Sequence, residues 1–99
     1  MPFVHTTGLK VVEHIPGWKR RFFHTAGLTI AHYDFVTGAA MALHHHPAEE
    51  VYEILEGEIE VTIDGVSQVV SPGITAVVPS NAPHSLQALT AGRMIVITH

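Results

Sequence analysis

Short segments rich in Val, Ile, Thr, Phe and Tyr alternate with turn-forming residues along this sequence. Pro16-Gly17, Asp64-Gly65 and Ser80–Pro83 are among the turn signals. Segments of this length and composition between such turns are typical of β-strands. We predict strands over residues 28–35, 58–64, 66–70, 74–79 and 93–98. Many short strands at this spacing favour an all-β sandwich or barrel.

The clearest strand pair is a hairpin over residues 58–70. Ile59, Val61 and Ile63 alternate with polar residues, as in a strand that is buried on one face. Asp64-Gly65 follows directly, and a tight primed turn needs a positive φ at both of its central residues. The sequence therefore predicts a two-residue turn at this position.

Residues 48–56 allow both a helix and a strand. For a helix, Pro47 suits the first position, and the apolar residues of the segment recur at helical spacing. As a strand, the segment places Glu50, Tyr52 and Ile54 on one face. Periodicity does not decide between the two for so short a segment.

Three consecutive histidines, His44, His45 and His46, precede this segment. On a strand, His44 and His46 face the same way, roughly 6.6 Å apart along the chain, and His45 faces away. In a helix, residues two apart do not share a face. The pattern is therefore suited to binding one metal ion from a strand.

Further ligands have to come from other parts of the chain. Glu50 is four residues beyond His46, about 13 Å away if the chain is extended, so a bend at Pro47-Ala48 has to bring it back. Glu49 is the rival carboxylate. His84 follows a turn that contains proline, and it is either a structural histidine or a fourth ligand.

The composition limits the classes of protein. A chain of 99 residues has room for one domain, which we place over residues 1–99. The net charge of −4 disfavours nucleic-acid binding, and the absence of cysteine excludes disulfides and thiol catalysis. We expect no membrane segment and no signal peptide, and hence a cytoplasmic protein. Because only 14% of the residues are charged, we expect a homodimer that covers apolar surface.

The spacing around the histidines resembles the first of two short motifs of the cupins, a family of small β-barrel proteins. Gly38 is followed by five residues, His44, one residue and His46. Three residues then precede Glu50, and six more precede Gly57. Every element of that family motif is present.

The second cupin motif is matched by a later segment. Gly73 is followed by five residues, Pro79, one residue, Asn81, two residues and His84. Asn81 stands where the family has a glycine, and asparagine tolerates the left-handed conformation. The two motifs cover residues 38–57 and 73–88, and the strand pattern extends the resemblance over nearly the whole chain.

The resemblance implies a cupin-type double-stranded β-helix, which is a jelly-roll barrel, and the helical interpretation of residues 48–56 is abandoned. It implies that His44, His46, Glu50 and His84 are metal ligands. The cofactor is then one divalent transition metal ion, and Fe, Mn, Ni, Zn, Co and Cu all suit this donor set.

The function implied by the resemblance is that of a dioxygenase-type enzyme for a small organic molecule. Tyr52, on the same strand face as Glu50, is a candidate catalytic donor of a proton or a hydrogen bond to the substrate, or else a core tyrosine with a satisfied hydroxyl. Glu50 is a candidate catalytic base if the reaction is non-redox. Two alternatives remain open. One is a non-redox metalloenzyme, such as an isomerase, cyclase or lyase related to polyketide cyclases or sugar-uronate-processing proteins. The other is a ligand-binding protein without turnover.

Overall fold

The computed structural model describes residues 2–99, so Met1, the first residue of the expected domain, lies outside the described residues. These residues form ten β-strands and one 3₁₀ turn, Thr6–Gly8. The strands are β1 (Val12–Ile15), β2 (Trp18–His24), β3 (Thr29–Phe35), β4 (Ala40–His44), β5 (Glu50–Glu56), β6 (Ile59–Ile63), β7 (Val66–Val70), β8 (Thr75–Val78), β9 (His84–Ala88) and β10 (Gly92–Thr98). Residues 2–99 include no helix that is long and apolar enough to span a membrane.

The strands form two antiparallel sheets that share one core. The six-stranded sheet has the order β1-β2-β3-β10-β5-β8, and the four-stranded sheet has the order β4-β9-β6-β7. Side chains of both sheets meet in a single buried cluster, which includes Tyr52 and Met94 from one sheet and Ile59 and Leu86 from the other. The predicted all-β jelly roll is confirmed.

The predicted hairpin is present as β6 and β7. Ile59 pairs with Val70, and Ile63 pairs with Val66. The two connecting residues, Asp64 and Gly65, have φ values of 50° and 79°. A primed turn needs these positive φ values, because its backbone twist then matches that of the flanking strands.

Residues 50–56 form a strand, as the resemblance implied, because β5 lies between β10 and β8 and pairs with both. Tyr52 and Ile54 are each 2% exposed, on the inner face. Gly57 follows the strand with a φ of 87°, and a Cβ atom at this residue would lie 2.5 Å from the carbonyl oxygen of Ala91. Gly57, the last glycine of the first motif, is therefore required both by its backbone conformation and by the close approach of another segment.

Strand β2 contributes the largest buried side chain. Trp18 packs edge-on against Tyr33, with ring centroids 6.3 Å apart, and lies 5.5 Å from the ring of Phe35. Alternation along β2 then places Arg20 on the inner face. Arg21 lies on the outer face and forms an ion pair with Asp34, with an N–O distance of 3.5 Å.

The outer face of the six-stranded sheet carries an apolar row that crosses five strands. Phe23 pairs with Ile30, Ile30 with Ile97, Ile97 with Val51, and Val51 with Val77. Val77 is 55% exposed, and the other four side chains are partly exposed. These five residues are called the apolar row below.

Candidate metal centre

His44 and His84 form a cross-strand pair in the four-stranded sheet. His44 is the last residue of β4, His84 is the first residue of β9, and the two are paired in register. Their ring centroids are 4.1 Å apart. Residues that are forty positions apart in the sequence are therefore held together by sheet pairing alone.

His46 reaches the same place from the segment that follows β4. Its ring centroid lies 5.6 Å from that of His44 and 5.0 Å from that of His84. The chain bends at Pro47-Ala48, as predicted, and the backbone N–H of Asn81 donates a 2.7 Å hydrogen bond to the carbonyl of His46. Asn81 has a φ of 61°, so it adopts the left-handed conformation of the glycine that it replaces.

Glu50 approaches the histidines from the other sheet, at the first position of β5. Its Oε1 atom lies 3.2 Å from Nε2 of His46 and 3.4 Å from Nε2 of His84. Two ligand atoms that share one tetrahedral zinc ion, each about 2.1 Å from it, lie about 3.4 Å apart. The carboxylate is therefore at the separation expected of a ligand that shares an ion with these imidazoles. Glu49, the rival carboxylate, is exposed.

A backbone carbonyl determines the tautomer of each histidine. Nδ1 of His44 lies 2.7 Å from the carbonyl of Ala42, Nδ1 of His46 lies 2.9 Å from that of Ala48, and Nδ1 of His84 lies 2.8 Å from that of Ala82. A carbonyl only accepts, so each Nδ1 carries the proton and donates. In the neutral rings, Nε2 is then left with a free lone pair, which is the state that binds metal ions.

The three histidines could hold a metal ion, because their ligand atoms all lie within 4.8 Å of one another. His84 is fully buried, and among residues 2–99 its Nε2 has no hydrogen-bond partner. A buried polar atom without a partner carries a desolvation cost of about 1–3 kcal/mol. Two imidazole nitrogens directed towards one carboxylate oxygen are a donor set that a divalent metal ion fits.

Glu50 is held in place by two hydroxyl groups. Tyr52 donates a 2.9 Å hydrogen bond to Oε1, and Thr98 donates a 3.1 Å hydrogen bond to Oε2. Burial of the phenol, together with the negative charge and hydrogen bond of Glu50, raises the pKa of Tyr52 far above its ordinary value. Tyr52 therefore remains protonated and acts as a hydrogen-bond donor.

The site opens into a cavity of ≈ 200 Å³ between the two sheets. Apart from His44, His46, Glu50 and Tyr52, the lining is apolar or aromatic and consists of Ile15, Tyr33, Met41, Leu86, Met94 and Val96. A small organic molecule in this cavity would contact the open side of the histidine cluster.

The structure brings together all four residues that the sequence singled out as ligands, and both candidate catalytic residues lie in the same place. His45 is exposed and is not one of the three clustered histidines. Sequence reasoning missed Thr98, which is 48 residues from Glu50. Only the register of β10 on β5, in which Thr98 is opposite Glu50, reveals this contact.

A two-sheet β-barrel with three histidines and a glutamate at its mouth defines a class of proteins with a potential metal centre. The chain belongs to the cupin domain family, whose sequence profile matches residues 31–98. No functionally curated protein matches the sequence significantly.

Solved structures share the fold over almost the whole chain. An RmlC-like cupin from Shewanella frigidimarina is 26% identical, with a TM-score of 0.91 over 99% of this chain and 89% of that one. KdgF from a Halomonas species is 24% identical, with a TM-score of 0.85 over 97% of this chain and 88% of that one. The salicylate 1,2-dioxygenase of Pseudoaminobacter salicylatoxidans is 22% identical, with a TM-score of 0.81, and the match covers 88% of this chain but 26% of the dioxygenase. At these identities, the last two matches show the fold alone.

Proposed function

We propose that residues 1–99 form one cupin domain that binds one divalent transition metal ion through His44, His46, Glu50 and His84. The observation that carries this proposal is the buried Nε2 of His84, which has no partner and lies 3.4 Å from Glu50. The same proposal accounts for the carbonyl that each histidine engages through Nδ1, because these bonds direct Nε2 towards the cluster.

The proposed activity is that of a dioxygenase acting on a small organic substrate. An iron, manganese, nickel, cobalt or copper ion at this centre would supply the redox chemistry that lets O₂ react with the substrate. The chain's own residues do the rest. The apolar lining excludes water and binds the substrate carbon skeleton, while Tyr52 presents a protonated hydroxyl beside Glu50. The salicylate 1,2-dioxygenase structure, which contains a gentisate adduct, supports this choice at the level of a shared fold.

A non-redox reaction, such as an isomerisation, cyclisation or elimination, is the second candidate. It is favoured by Tyr52, which lines the same cavity as three of the proposed ligands. A phenol hydroxyl beside a bound carbonyl compound can donate a hydrogen bond to the oxygen on which negative charge develops. Glu50 is less suited to act as the base, because both of its oxygens already accept hydrogen bonds.

Metal analysis followed by an oxygen-uptake assay tests the proposal. Protein purified without a tag and without chelators should contain close to one transition metal ion per chain. Oxygen consumption by the iron-loaded protein with gentisate or a flavonol would support the dioxygenase. Turnover by the zinc form without O₂ would support the non-redox enzyme, and tight ligand binding without any product would indicate a binding protein. Failure to bind any of these metal ions would contradict the proposed centre.

We also propose a homodimer in which the apolar row is covered by a second copy. Beside this row, Arg21 and His32 lie on β2 and β3, on one side of β10, and Glu53 lies on β5, on the other side of β10. A two-fold axis along the strands places β2 and β3 of one copy over β5 of its partner, so that Arg21, which also pairs with Asp34, and His32 lie near the partner's Glu53. A cytoplasmic location, a small-molecule substrate and the absence of nucleic-acid or membrane partners remain part of the same proposal.

A further inference from the structure

A second, smaller cavity adjoins the one at the candidate metal centre. It measures ≈ 100 Å³ and is lined by His14, Ile15, Trp18, Arg20, Tyr33 and Met41. Ile15, Tyr33 and Met41 also line the cavity at the histidines, so these three side chains form the common wall of the two spaces. The two cavities therefore lie side by side, with Arg20 in the lining of the smaller one and the histidines in the lining of the larger one.

Arg20 differs from the other two arginines of the chain. Arg21 pairs with Asp34 at 3.5 Å, and Arg93 pairs with Glu56 at 2.7 Å. Within residues 2–99, the Arg20 side chain makes no hydrogen bond and has no carboxylate within 4.0 Å. A guanidinium group is permanently charged and carries five donors, so an inward-facing arginine without a partner has an unused capacity for anion binding.

The position of Arg20 is restrained by its neighbour on the same strand face. Its guanidinium carbon lies 4.8 Å from the ring centroid of Phe22, within the range of a cation–π contact. Trp18 precedes it on that face, and the buried indole N–H of Trp18 also has no acceptor. The small cavity therefore borders a fixed cation and contains no acidic side chain among its lining residues.

The charge of the metal centre acts in the same direction. Three neutral imidazoles and one carboxylate around a divalent ion would leave a formal net charge of about +1 at the larger cavity. Arg20 supplies a positive charge at the smaller cavity. A ligand that spans both cavities thus meets two cationic ends and an apolar middle that is formed by Ile15, Tyr33 and Met41.

We infer that Arg20 is a specificity-determining residue and that the substrate is an elongated small carboxylate. Its carboxylate binds the Arg20 guanidinium, its apolar portion lies along the common wall, and its reactive end reaches the histidine cluster. This inference rests on the proposed function for the identity of the reacting end. The anion site itself is independent of the metal.

The sole tryptophan of the chain, Trp18, lines the small cavity, so its fluorescence reports directly on occupancy. The probes are phenylacetate, 3-phenylpropionate and 4-phenylbutyrate, each compared with its neutral amide. Titrations use the protein as purified and again after treatment with a chelator, because a carboxylate could otherwise bind the metal. At least one of the carboxylates should bind about tenfold or more tightly than its amide in both forms.

Variants of the two adjacent arginines separate the anion site from general charge effects. Arg20→Gln should abolish the preference for the carboxylate, Arg20→Lys should restore part of it, and Arg21→Gln, on the outer face of the same strand, should leave it unchanged. Metal content of Arg20→Gln should equal that of the wild type. Loss of preference in Arg21→Gln, retention in Arg20→Gln, or failure of all three carboxylates to bind the wild type at millimolar concentration would overturn the inference. A protein that selects carboxylates but takes up no metal would instead contradict only the proposed function.

Discussion

Tyr52 donates its hydroxyl hydrogen to the same oxygen of Glu50 that faces two of the histidines, at a distance of 2.9 Å. This single contact connects the buried core of the six-stranded sheet to the candidate metal centre, because Tyr52 is 2% exposed. The phenol orients the carboxylate before any ion binds, and an oriented ligand binds with a smaller loss of conformational freedom.

We expect Tyr52→Phe to lower metal affinity by about 10- to 100-fold, the usual effect of removing a hydrogen bond to a metal ligand. The change preserves the ring and therefore most of the packing. Isothermal titration with zinc measures the difference. Tyr33→Phe is the matched control, because Tyr33 lines the same cavity but does not contact Glu50. Equal affinities in the two variants would contradict the role of Tyr52.

His84→Ala should abolish stoichiometric metal binding, because it removes the buried imidazole at the base of the cluster. His44→Ala should weaken binding strongly too, and it replaces an exposed residue, so the fold is less affected. His45→Ala serves as the control, since His45 is exposed and does not belong to the cluster. Elemental analysis of the three purified variants measures the result. Full metal occupancy in His84→Ala would refute the assigned ligand set.

Metal affinity should decrease as the pH is lowered from about 8 to about 5. Only the neutral imidazole binds a metal ion, so protons compete with the ion for each Nε2 atom. Raising the pH removes this competition, so the metal affinity is higher at higher pH. With three histidine ligands, the fall should exceed about tenfold per pH unit at the acidic end. A flat affinity profile from competition titrations would exclude ligation by histidine.

Gly57→Ala should lower the free energy of unfolding by about 2 kcal/mol or more, because the residue has a positive φ and a Cβ atom would meet the carbonyl of Ala91. Denaturant unfolding of the chelator-treated protein measures the change without a contribution from metal. Gly27→Ala is the control, since nothing lies within 4 Å of a Cβ atom at that position. Similar stabilities for the two variants would show that the tight approach at Gly57 can relax.

If the proposed homodimer forms through the apolar row, Ile97→Glu should convert it into monomers, because the change places a charge in the centre of that row. Sedimentation velocity measures the oligomeric state. Val66→Glu changes an equally apolar residue that is 72% exposed in the four-stranded sheet, and it should leave the dimer intact. A wild-type monomer at micromolar concentration, or a dimeric Ile97→Glu variant, would rule out this interface.

Most of the structural features that depend on local sequence patterns could be predicted from the sequence. Alternation and Asp64-Gly65 identified the hairpin, and motif spacing identified the four residues of the cluster. The alternation of side chains along the strand also predicted that Tyr52 lies on the same face as Glu50. These features depend on neighbours within a few positions or on a recurrent spacing, so a single sequence reveals them.

Other features depend on how distant strands pair. The contact between Thr98 and Glu50 requires the register of β10 on β5, and the apolar row requires the registers of five strands. Side-chain alternation along a strand allows only one of the adjacent residues Arg20 and Arg21 to face inward, and it does not indicate which one. The choice follows from Trp18, whose burial determines which face of β2 is the inner one. No local signal in the sequence carries this information.

The division of the cluster between the sheets has a consequence for the lifetime of a bound ion. Three of the side chains belong to β4, the segment after it and β9, whereas Glu50 comes from β5 in the other sheet. An ion bound by all four side chains would link the two sheets at the mouth of the barrel. Its complete release then requires the bond to Glu50 to break as well as the bonds to the histidines, so resistance to chelators reports on the contact between the sheets at that end.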